Sequence, residues 1–182
     1  MINVEKTELD GVFIIEPKAF GDNRGWFMES YSKRDLEANG IKADFVQDNR
    51  SYSAKKGIVR GLHFQRNPMC QAKMLTCLRG AIMDVAVDLR KNSPTYKKWI
   101  SVELTEENRK QIFIPKGFAH GFVTLTDDVE IFYKCDAFYS PEHDGGIRFD
   151  DPEIGVDWGI TDPILSEKDK NAPFLKDIEL DF

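Results

Sequence analysis

The sequence predicts an all-β domain, either a two-sheet sandwich or a barrel. Short apolar stretches with period-2 alternation recur up to residue 137, and turn residues such as Gly, Pro, Asp and Asn separate them. Helical periodicity is limited to one or two short stretches. About ten short strands with so little helix fit layers of antiparallel sheet. Two-sheet folds of this size enclose a cavity between their sheets.

Length and charge restrict the function. A chain of 182 residues is long enough for one domain with a substantial core, and we expect that domain to span residues 1–182. The net charge of −6 opposes a nucleic-acid partner, which requires a basic surface. No stretch of 18 apolar residues is present, so no membrane span is expected.

The N-terminus and the cysteines predict a cytoplasmic protein. Residues 1–10 carry charges and lack the apolar segment of a secretory signal. The three cysteines, Cys70, Cys77 and Cys135, are scattered and form no Cys-x-x-Cys pair. An odd number of unpaired thiols is typical of a reducing compartment.

The elements follow from the pattern in chain order. One short helix is predicted at residues 33–39, where Gly40 ends it, and one helical turn at 165–171 with Ser166 as its cap. A turn is predicted at residues 21–25. The predicted strands are residues 9–17, 26–31, 45–53, 57–64, 72–78, 81–89, 99–104, Gln111–Ile114, 118–125 and 129–137.

Two strands carry the clearest alternation. In residues 81–89, Met83, Val85, Val87 and Leu89 are predicted on one face, opposite Ile82, Asp84, Ala86 and Asp88. In residues 129–137, Tyr133 falls in an apolar row that is expected to point inward. From residue 139 onward the chain is rich in loops, more than a barrel needs as cover, which indicates a lid or a partner interface.

The octapeptide at residues 57–64 combines a cation with a titratable imidazole. Arg60 and His63 are three residues apart, so on a regular strand they would point to opposite faces. Gly61 lies between them, and a bulge there would re-aim one side chain into the same cavity. Such a cavity suits an anionic substrate and a proton transfer. The alternative is an ordinary edge strand with a surface arginine.

Acid–base chemistry fits the histidines better than metal binding does. Position 65 is Gln and position 122 is Phe, so neither His63 nor His120 belongs to the His-x-His pair of a jelly-roll metal site. His63 is a candidate base near neutral pH, and Tyr133 is a candidate acid unless it is only a core tyrosine. The cations Arg24, Arg60 and Lys73 are candidates for a phosphate pocket, although no nucleotide-binding glycine loop is present.

Five motifs in order resemble the dTDP-4-dehydrorhamnose 3,5-epimerases, which are cupin-like jelly rolls. The resemblance spans residues 11–173, and a series of five motifs is far more specific than any single one. The motifs are RGWFME at residues 24–29, QDNRS at 47–51, RGLHFQ at 60–65, FIPKGFAHGF at 113–122 and LSEKD at 165–169.

The resemblance implies an enzyme that inverts C3 and C5 of dTDP-4-dehydro-6-deoxy-glucose. In such an enzyme His63 would be the base, oriented by Asp169, and Tyr133 would be the acid on the opposite face of the sugar ring. Lys73 would lie near the keto oxygen or the phosphates. No metal or organic cofactor is implied. Arg60 is implied to lie near the keto oxygen or the phosphates with Lys73. The residues that match positions holding the nucleotide sugar are Arg24, Glu29, Gln47, Asn49, His120 and Lys168, and Asp144 stands at a further possible contact to the nucleotide. The nucleotide base is predicted to stack near Phe27 or the Phe138–Tyr139 pair.

The family and the exposed N-terminal strand together predict a homodimer in which N-terminal strands complete the partner's sheet. Two positions depart from the family pattern, namely Asp144 in place of Glu and Gly159 in place of Pro. They leave open an epimerase that acts at C3 or C5 alone or on another nucleotide sugar. A non-catalytic sugar-binding module and a metal-dependent cupin enzyme are the alternatives from other classes.

Overall fold

The computed structural model describes residues 2–182 and contains two antiparallel sheets. The strands are β1 (Ile2–Lys6), β2 (Phe13–Pro17), β3 (Ala19–Asp22), β4 (Gly25–Met28), β5 (Gln47–Ser53), β6 (Val59–Gln65), β7 (Lys73–Arg79), β8 (Ala81–Asp88), β9 (Trp99–Thr105), β10 (Gln111–Ile114), β11 (Phe118–Thr124), β12 (Val129–Cys135) and β13 (Asp144–Gly146). One sheet has six strands in the order β1-β2-β10-β7-β12-β5, and the other has five in the order β13-β6-β11-β8-β9. Strands β3 and β4 form a separate hairpin. The predicted all-β, two-sheet architecture is confirmed.

The helices are few and short, as the sequence predicts. Helix α1 spans Lys33–Ala38 and helix α2 spans Glu167–Lys170, and a 3₁₀ turn occupies Leu175–Asp177. The predicted cap of α2 is confirmed, because Ser166 Oγ accepts a bond of 3.1 Å from the Asp169 amide. Within residues 2–182 no helix has the length and apolar character needed to cross a membrane.

Some predicted strand boundaries were wrong. The predicted strand 9–17 begins only at Phe13, because residues 10 and 11 form a turn in which Gly11 has a φ of +88°. The predicted strand 26–31 ends at Met28. The short strands β1, β3 and β13 were missed, since strands of three to five residues with polar or glycine-rich sequences carry little alternation.

The first core lies between the two sheets, and strand β8 forms part of its wall. Ile82 and Ala86 of β8 meet Leu75, Ile112 and Ile131 of the six-stranded sheet there, all at most 2% exposed. The opposite face, with Val85 and Val87 of β8 and Leu89 directly after it, belongs to a second core. The predicted two-faced alternation of this strand is therefore confirmed.

The C-terminal region covers the outer face of the five-stranded sheet. Ile147, Ile154, Trp158, Leu175 and Leu180 are buried against Val59, Leu62 and Phe64 of β6 and the outward face of β8. This packing explains why the loop-rich tail is so long, because a whole sheet face requires cover. A smaller third core packs α1 on the outer face of the six-stranded sheet. The expected lid is therefore wrong, because these residues form a packed layer from which α2 extends to the site. The alternative of a partner interface stays a prediction.

A bulge in β6 re-aims its side chains, as the sequence predicts. His63 pairs with His120 of β11, and Arg60 pairs with Phe122, so a step of three residues on β6 faces a step of two on β11. The extra residue makes Arg60 and His63 share one face. Gly61 sits at this point with a φ of +133°, and a Cβ atom there would lie 2.6 Å from the Cα atom of Gly121.

We predict that Gly61→Ala destabilises the protein far more than Gly57→Ala. Both glycines have positive φ, but a Cβ atom at Gly57 would meet nothing within 4 Å. Gly57→Ala should therefore cost only the backbone strain, about 1 kcal/mol, whereas Gly61→Ala should add a clash with backbone and cost about 3 kcal/mol or more. Urea unfolding of both variants measures the difference. Equal losses would show that the close approach of β6 and β11 is not a constraint.

Candidate active site

A cavity of about 380 Å³ opens between the two sheets. The six-stranded sheet supplies inward side chains from β5, β7 and β12, and the five-stranded sheet supplies those of β6 and β13. Eight residues expected at the site from the sequence line this one cavity: Gln47, Asn49, His63, Lys73, Tyr133, Tyr139, Asp144 and Lys168. Phe64, Gln65 and Gln71 complete the lining.

His63 is paired with a carboxylate, as expected. Its Nε2 atom lies 2.6 Å from Oδ1 of Asp169, although the two residues are 106 positions apart. Strand β6 presents the imidazole and the first turn of α2 presents the carboxylate, which is almost fully buried. This bond occupies Nε2 and leaves Nδ1 as the nitrogen that can take a proton.

The Asp169 carboxyl group is held in its ionised form. Burial raises its pKa, but the hydrogen bond to His63, the His63 charge, and bonds from Ser166 and the Gly61 backbone together outweigh burial, so its pKa lies below the ordinary 3.8. A carboxylate in this position fixes the orientation of the imidazole and stabilises the imidazolium that forms when His63 takes a proton.

Tyr133 faces His63 from the opposite sheet. It lies in the inward row of β12 with Val129, Ile131 and Cys135, which confirms the predicted direction of this side chain. Burial and the neighbouring Cys135 raise the pKa of its phenol, and Arg60 opposes that shift. At neutral pH the hydroxyl is therefore protonated and can act as a donor.

Lys73 brings a cation into the same cavity from β7. Burial lowers the pKa of its ammonium, because the charged form loses hydration, while Cys135, Asp84 and Asp144 oppose the shift. No carboxylate forms a salt bridge with it among the residues that the structure describes. A poorly hydrated ammonium without a carboxylate partner is well suited to hold negative charge on a substrate oxygen.

The mouth of the cavity is polar. Gln47 accepts a bond of 2.8 Å from the Tyr139 amide and donates one of 3.1 Å to Asn49. Asp144 of β13 forms an ion pair with Lys168 of α2. Both members of this pair were expected to hold the nucleotide sugar, and without a ligand they neutralise each other.

Two expected site residues adjoin the cavity without lining it. Arg60 bonds to Ser53 Oγ at 3.1 Å and to the Tyr52 carbonyl at 3.0 Å, which ties its guanidinium to the edge strand β5. His120 is 8% exposed and its Nε2 atom lies 2.8 Å from Oδ2 of Asp84. His120 is thus part of the packed wall next to β6.

Asp84 was missed as a site residue. It is fully buried, and its Oδ1 atom has no hydrogen-bond partner among the residues that the structure describes. The signal was present in the sequence, because a carboxylate on the inward face of an apolar strand needs a compensating partner. Here the partner is His120 at 2.8 Å.

The structure does not bring Arg24, Phe27 and Glu29 to this cavity. Arg24 and Phe27 belong to the β3–β4 hairpin, where they line a separate surface pocket with Asp22 and Trp26. The Arg24 guanidinium pairs with Asp22 at 2.5 Å. Phe27 is 73% exposed, so within one chain its ring is largely uncovered.

The two departures from the family pattern have local explanations. Asp144 is long enough to reach Lys168. Gly159 has a φ of +66°, which proline cannot adopt because its ring fixes φ near −65°. The loop after Trp158 therefore differs in conformation from one that carries proline. Within residues 2–182 no three His, Cys, Asp or Glu side chains form a cluster that could hold a metal ion.

Comparisons of the sequence with known proteins all point to the same family. The sequence model of the family described as dTDP-4-dehydrorhamnose 3,5-epimerase matches residues 6–177. A relative of that name from Methanothermobacter thermautotrophicus is 53% identical over 175 residues, which cover 94% of each chain. This chain is therefore similar to such relatives over nearly its whole length.

Solved structures agree with the sequence comparison. A dTDP-4-dehydrorhamnose 3,5-epimerase from Bacillus anthracis with TDP and PPi bound superposes with a TM-score of 0.94, 48% identity, and coverage of 96% of this chain and 100% of the other. A Legionella pneumophila dTDP-6-deoxy-D-glucose-3,5-epimerase in complex with dTDP-4-keto-L-rhamnose gives 0.93 and 45% identity, with coverage of 98% and 95%. Together with the sequence match, these likenesses show that the chain belongs to the dTDP-4-dehydrorhamnose 3,5-epimerase family, of cupin-like fold.

Proposed function

We propose that this protein inverts C3 and C5 of dTDP-4-dehydro-6-deoxy-glucose to give dTDP-4-dehydro-L-rhamnose, in the biosynthesis of dTDP-L-rhamnose. The family supports this activity. The observation that carries it is a His–Asp pair on one wall of the cavity and a protonated tyrosine on the other. A sugar ring bound between the sheets would have a base on one face and an acid on the opposite face.

The first step is removal of a proton next to the C4 ketone. His63 Nδ1 takes the proton from C3 or C5, and the electron pair of the C–H bond becomes the C=C bond of an enolate. Negative charge then develops on the C4 oxygen. The Asp169 carboxylate stabilises the imidazolium that forms at this moment, since it bonds to the other ring nitrogen.

The second step returns a proton from the other side. The Tyr133 hydroxyl donates its proton to the same carbon, the enolate electrons form the new C–H bond, and the C4 carbonyl is restored. Lys73 contributes while the charge is on oxygen, so it stabilises the transition state more than the ground state. Solvent then reprotonates the phenolate and removes the proton of His63.

The remaining polar residues would hold the nucleotide. We assign Lys168 to the diphosphate, and Gln47 and Asn49 to polar groups of the nucleotide sugar. Arg60 would add positive charge from beside the cavity, where it bonds to Ser53 and Tyr52. The thymine ring would stack on Tyr139, which is 55% exposed at the cavity, and such stacking contributes about 1–3 kcal/mol. Asp144 would release Lys168 when the phosphates arrive, and His120 would support the cavity from β11.

We also propose a homodimer. Phe20, Trp26 and Phe27 of the β3–β4 hairpin are 54%, 56% and 73% exposed, an apolar patch that a second copy would cover. In a dimer, Arg24, Phe27 and Glu29 could reach the cavity of the partner, which would reconcile their expected role with their distance from the cavity of their own chain. Three buried thiols without a disulfide favour the cytoplasm.

The proposed activity is tested by incubating the protein with dTDP-4-dehydro-6-deoxy-glucose in deuterated water and following C3 and C5 by NMR. We expect deuterium at both carbons and a product with both centres inverted. Inversion at one carbon alone would favour a single-site epimerase. Tight binding without any exchange would overturn the enzyme assignment in favour of a sugar-binding module.

His63→Asn should abolish exchange at both carbons, because the base is removed while the size and polarity of the side chain are roughly kept. We expect a loss of at least about 100-fold, the usual contribution of a general base. His143→Asn is the matched control, since His143 does not line the cavity and bonds to Ser140. Deuterium exchange that survives in a folded His63→Asn protein would contradict the assignment.

Tyr133→Phe should separate exchange from inversion. The variant keeps the ring packing and loses only the proton donor, so His63 can still exchange the substrate hydrogens with solvent while little C5-inverted product forms. Tyr52→Phe is the control, because Tyr52 is an exposed tyrosine bonded to Asp128. Undiminished inversion in Tyr133→Phe would mean that water or another residue is the acid.

Asp169→Asn should reduce stability in a pH-dependent way. The folded pKa of Asp169 lies below 3.8, so its ionised form stabilises the fold at higher pH, and that contribution is lost as the pH falls through the folded value. We expect the variant to be less stable than the wild type by about 1–2 kcal/mol at pH 7, with a gap that narrows below about pH 4. Urea unfolding across pH 3–7 measures it, and a constant gap would argue against an ionised Asp169.

Light scattering at micromolar concentration should give twice the 20.9 kDa mass of the chain. Phe27→Asp should shift the mass toward the monomer, because it places a charge in the apolar patch of the hairpin. Leu78→Asp is a matched control at an exposed apolar residue outside the hairpin. A wild-type protein with the mass of one chain would contradict the dimer.

A further inference from the structure

Cys135 is a fully buried thiol for which the proposed reaction has no step. It ends the inward row of β12, two residues after Tyr133. In the register of the six-stranded sheet it stands opposite Lys73 of β7 on one side and Gln47 of β5 on the other. The thiol is therefore the direct neighbour of three residues that line the cavity.

A chain of hydrogen bonds ends at this sulfur. The Tyr139 amide can only donate, so Gln47 must turn its carbonyl oxygen toward it, at 2.8 Å. The Gln47 NH₂ group then points to Asn49 Oδ1 at 3.1 Å, and the Asn49 NH₂ group points to Cys135 Sγ at 3.6 Å. Each bond fixes which end of the next amide faces which way.

This chain determines what the two amides offer to a ligand. Each NH₂ group carries two hydrogens, and the chain uses one hydrogen of each. The second hydrogen of Gln47 and of Asn49 is left for a ligand in the cavity that both side chains line. Each carbonyl oxygen accepts one bond within the chain and is turned toward its donor there, while one N–H of each amide stays free. Two free N–H groups suit phosphate, carbonyl or hydroxyl oxygens.

The thiol also stands beside the Lys73 ammonium without competing for it. Burial raises the pKa of Cys135, and although Lys73 and the Asn49 bond oppose the shift, the thiol remains un-ionised at neutral pH. A carboxylate or thiolate at this place would form an ion pair with Lys73 and draw it away from the substrate. An uncharged acceptor holds Asn49 and leaves the ammonium available.

We propose that Cys135 is a positioning residue: its sulfur fixes the Gln47–Asn49 amide pair as donors to the nucleotide sugar and leaves Lys73 unpaired. This inference rests on the proposed function for the identity of the ligand. The chain of bonds itself belongs to the ligand-free protein and can be tested without the reaction.

The competing explanation is that Cys135 merely fills space, and two substitutions distinguish the two. Cys135→Val fills a similar volume and removes the acceptor, whereas Cys135→Ser is smaller and keeps an acceptor for Asn49. If Cys135 only fills space, Cys135→Val should impair the protein less than Cys135→Ser. If Cys135 positions Asn49, Cys135→Ser should bind the ligand more tightly than Cys135→Val, whichever of the two variants is the more stable in urea.

Binding of dTDP is measured by calorimetry for the wild type and both variants. We expect Cys135→Val to raise the dissociation constant by about 3- to 10-fold, the effect of losing one hydrogen bond that orders a binding group, and Cys135→Ser to stay within about twofold. KM should rise more than kcat falls in Cys135→Val. Cys77→Val is the matched control, because Cys77 is also a buried thiol of the six-stranded sheet but its bonds go to the backbone carbonyls of Arg79 and Gly80, not to an amide that lines the cavity.

A double-mutant cycle with Asn49→Ala tests the route of the effect. Once Asn49 has lost its amide, Cys135→Val should add almost nothing to the change in dTDP affinity, because both substitutions break the same chain. Additive losses would overturn the proposal. Equal affinities of the Val and Ser variants in a protein that binds dTDP would overturn it too.

The ligand-free protein supplies a readout that does not depend on the proposed function. NMR of the Asn49 side-chain amide should show faster exchange of its two protons with water in Cys135→Val than in the wild type or in Cys135→Ser. Unchanged exchange would refute the bond to sulfur. If the wild type binds no dTDP and exchanges no substrate hydrogen, the proposed function fails, while this measurement still decides the role of Cys135.

Discussion

Strands β6 and β11 approach each other so closely at Gly61 and Gly121 that a single Cβ atom on Gly61 would lie 2.6 Å from the Cα atom of Gly121. Only glycine tolerates both that distance and a φ of +133°. The approach accompanies the bulge, and the bulge turns Arg60 and His63 to the same side of the sheet. Without it, one of the two side chains would point into the outer core, so the site depends on this backbone contact.

The two sheets carry different groups of the proposed acid–base reaction. The five-stranded sheet carries His63, and α2 in the layer that covers that sheet brings Asp169 within 2.6 Å of it. The six-stranded sheet carries Tyr133 and Lys73. Burial shifts the pKa values of these two side chains in opposite directions: it raises the pKa of the Tyr133 phenol and lowers the pKa of the Lys73 ammonium. Burial thus favours the protonated phenol and removes hydration from the ammonium, and both effects agree with the proposed roles of these two residues.

The sequence predicted most of this arrangement where a side-chain pattern carried it. Alternation identified both faces of β8 and the inward direction of Tyr133, and the glycine between Arg60 and His63 indicated the bulge. The sequence pattern could not predict contacts that depend on tertiary packing. The bond between Asp169 and His63 joins residues 106 positions apart and was expected only from the family resemblance. The partnership of Asp84 with His120, and that of Cys135 with Asn49, depend on strand order, which local pattern does not contain.

In the proposed reaction a hexose ring lies between the two walls, with the base and the acid on opposite faces. A crystal structure of the protein with dTDP-4-keto-L-rhamnose tests it most directly. We expect His63 Nδ1 and the Tyr133 hydroxyl on opposite sides of the ring, each near C3 or C5, with Lys73 at the C4 oxygen. A ring with both groups on the same face, or a sugar bound outside this cavity, would contradict it.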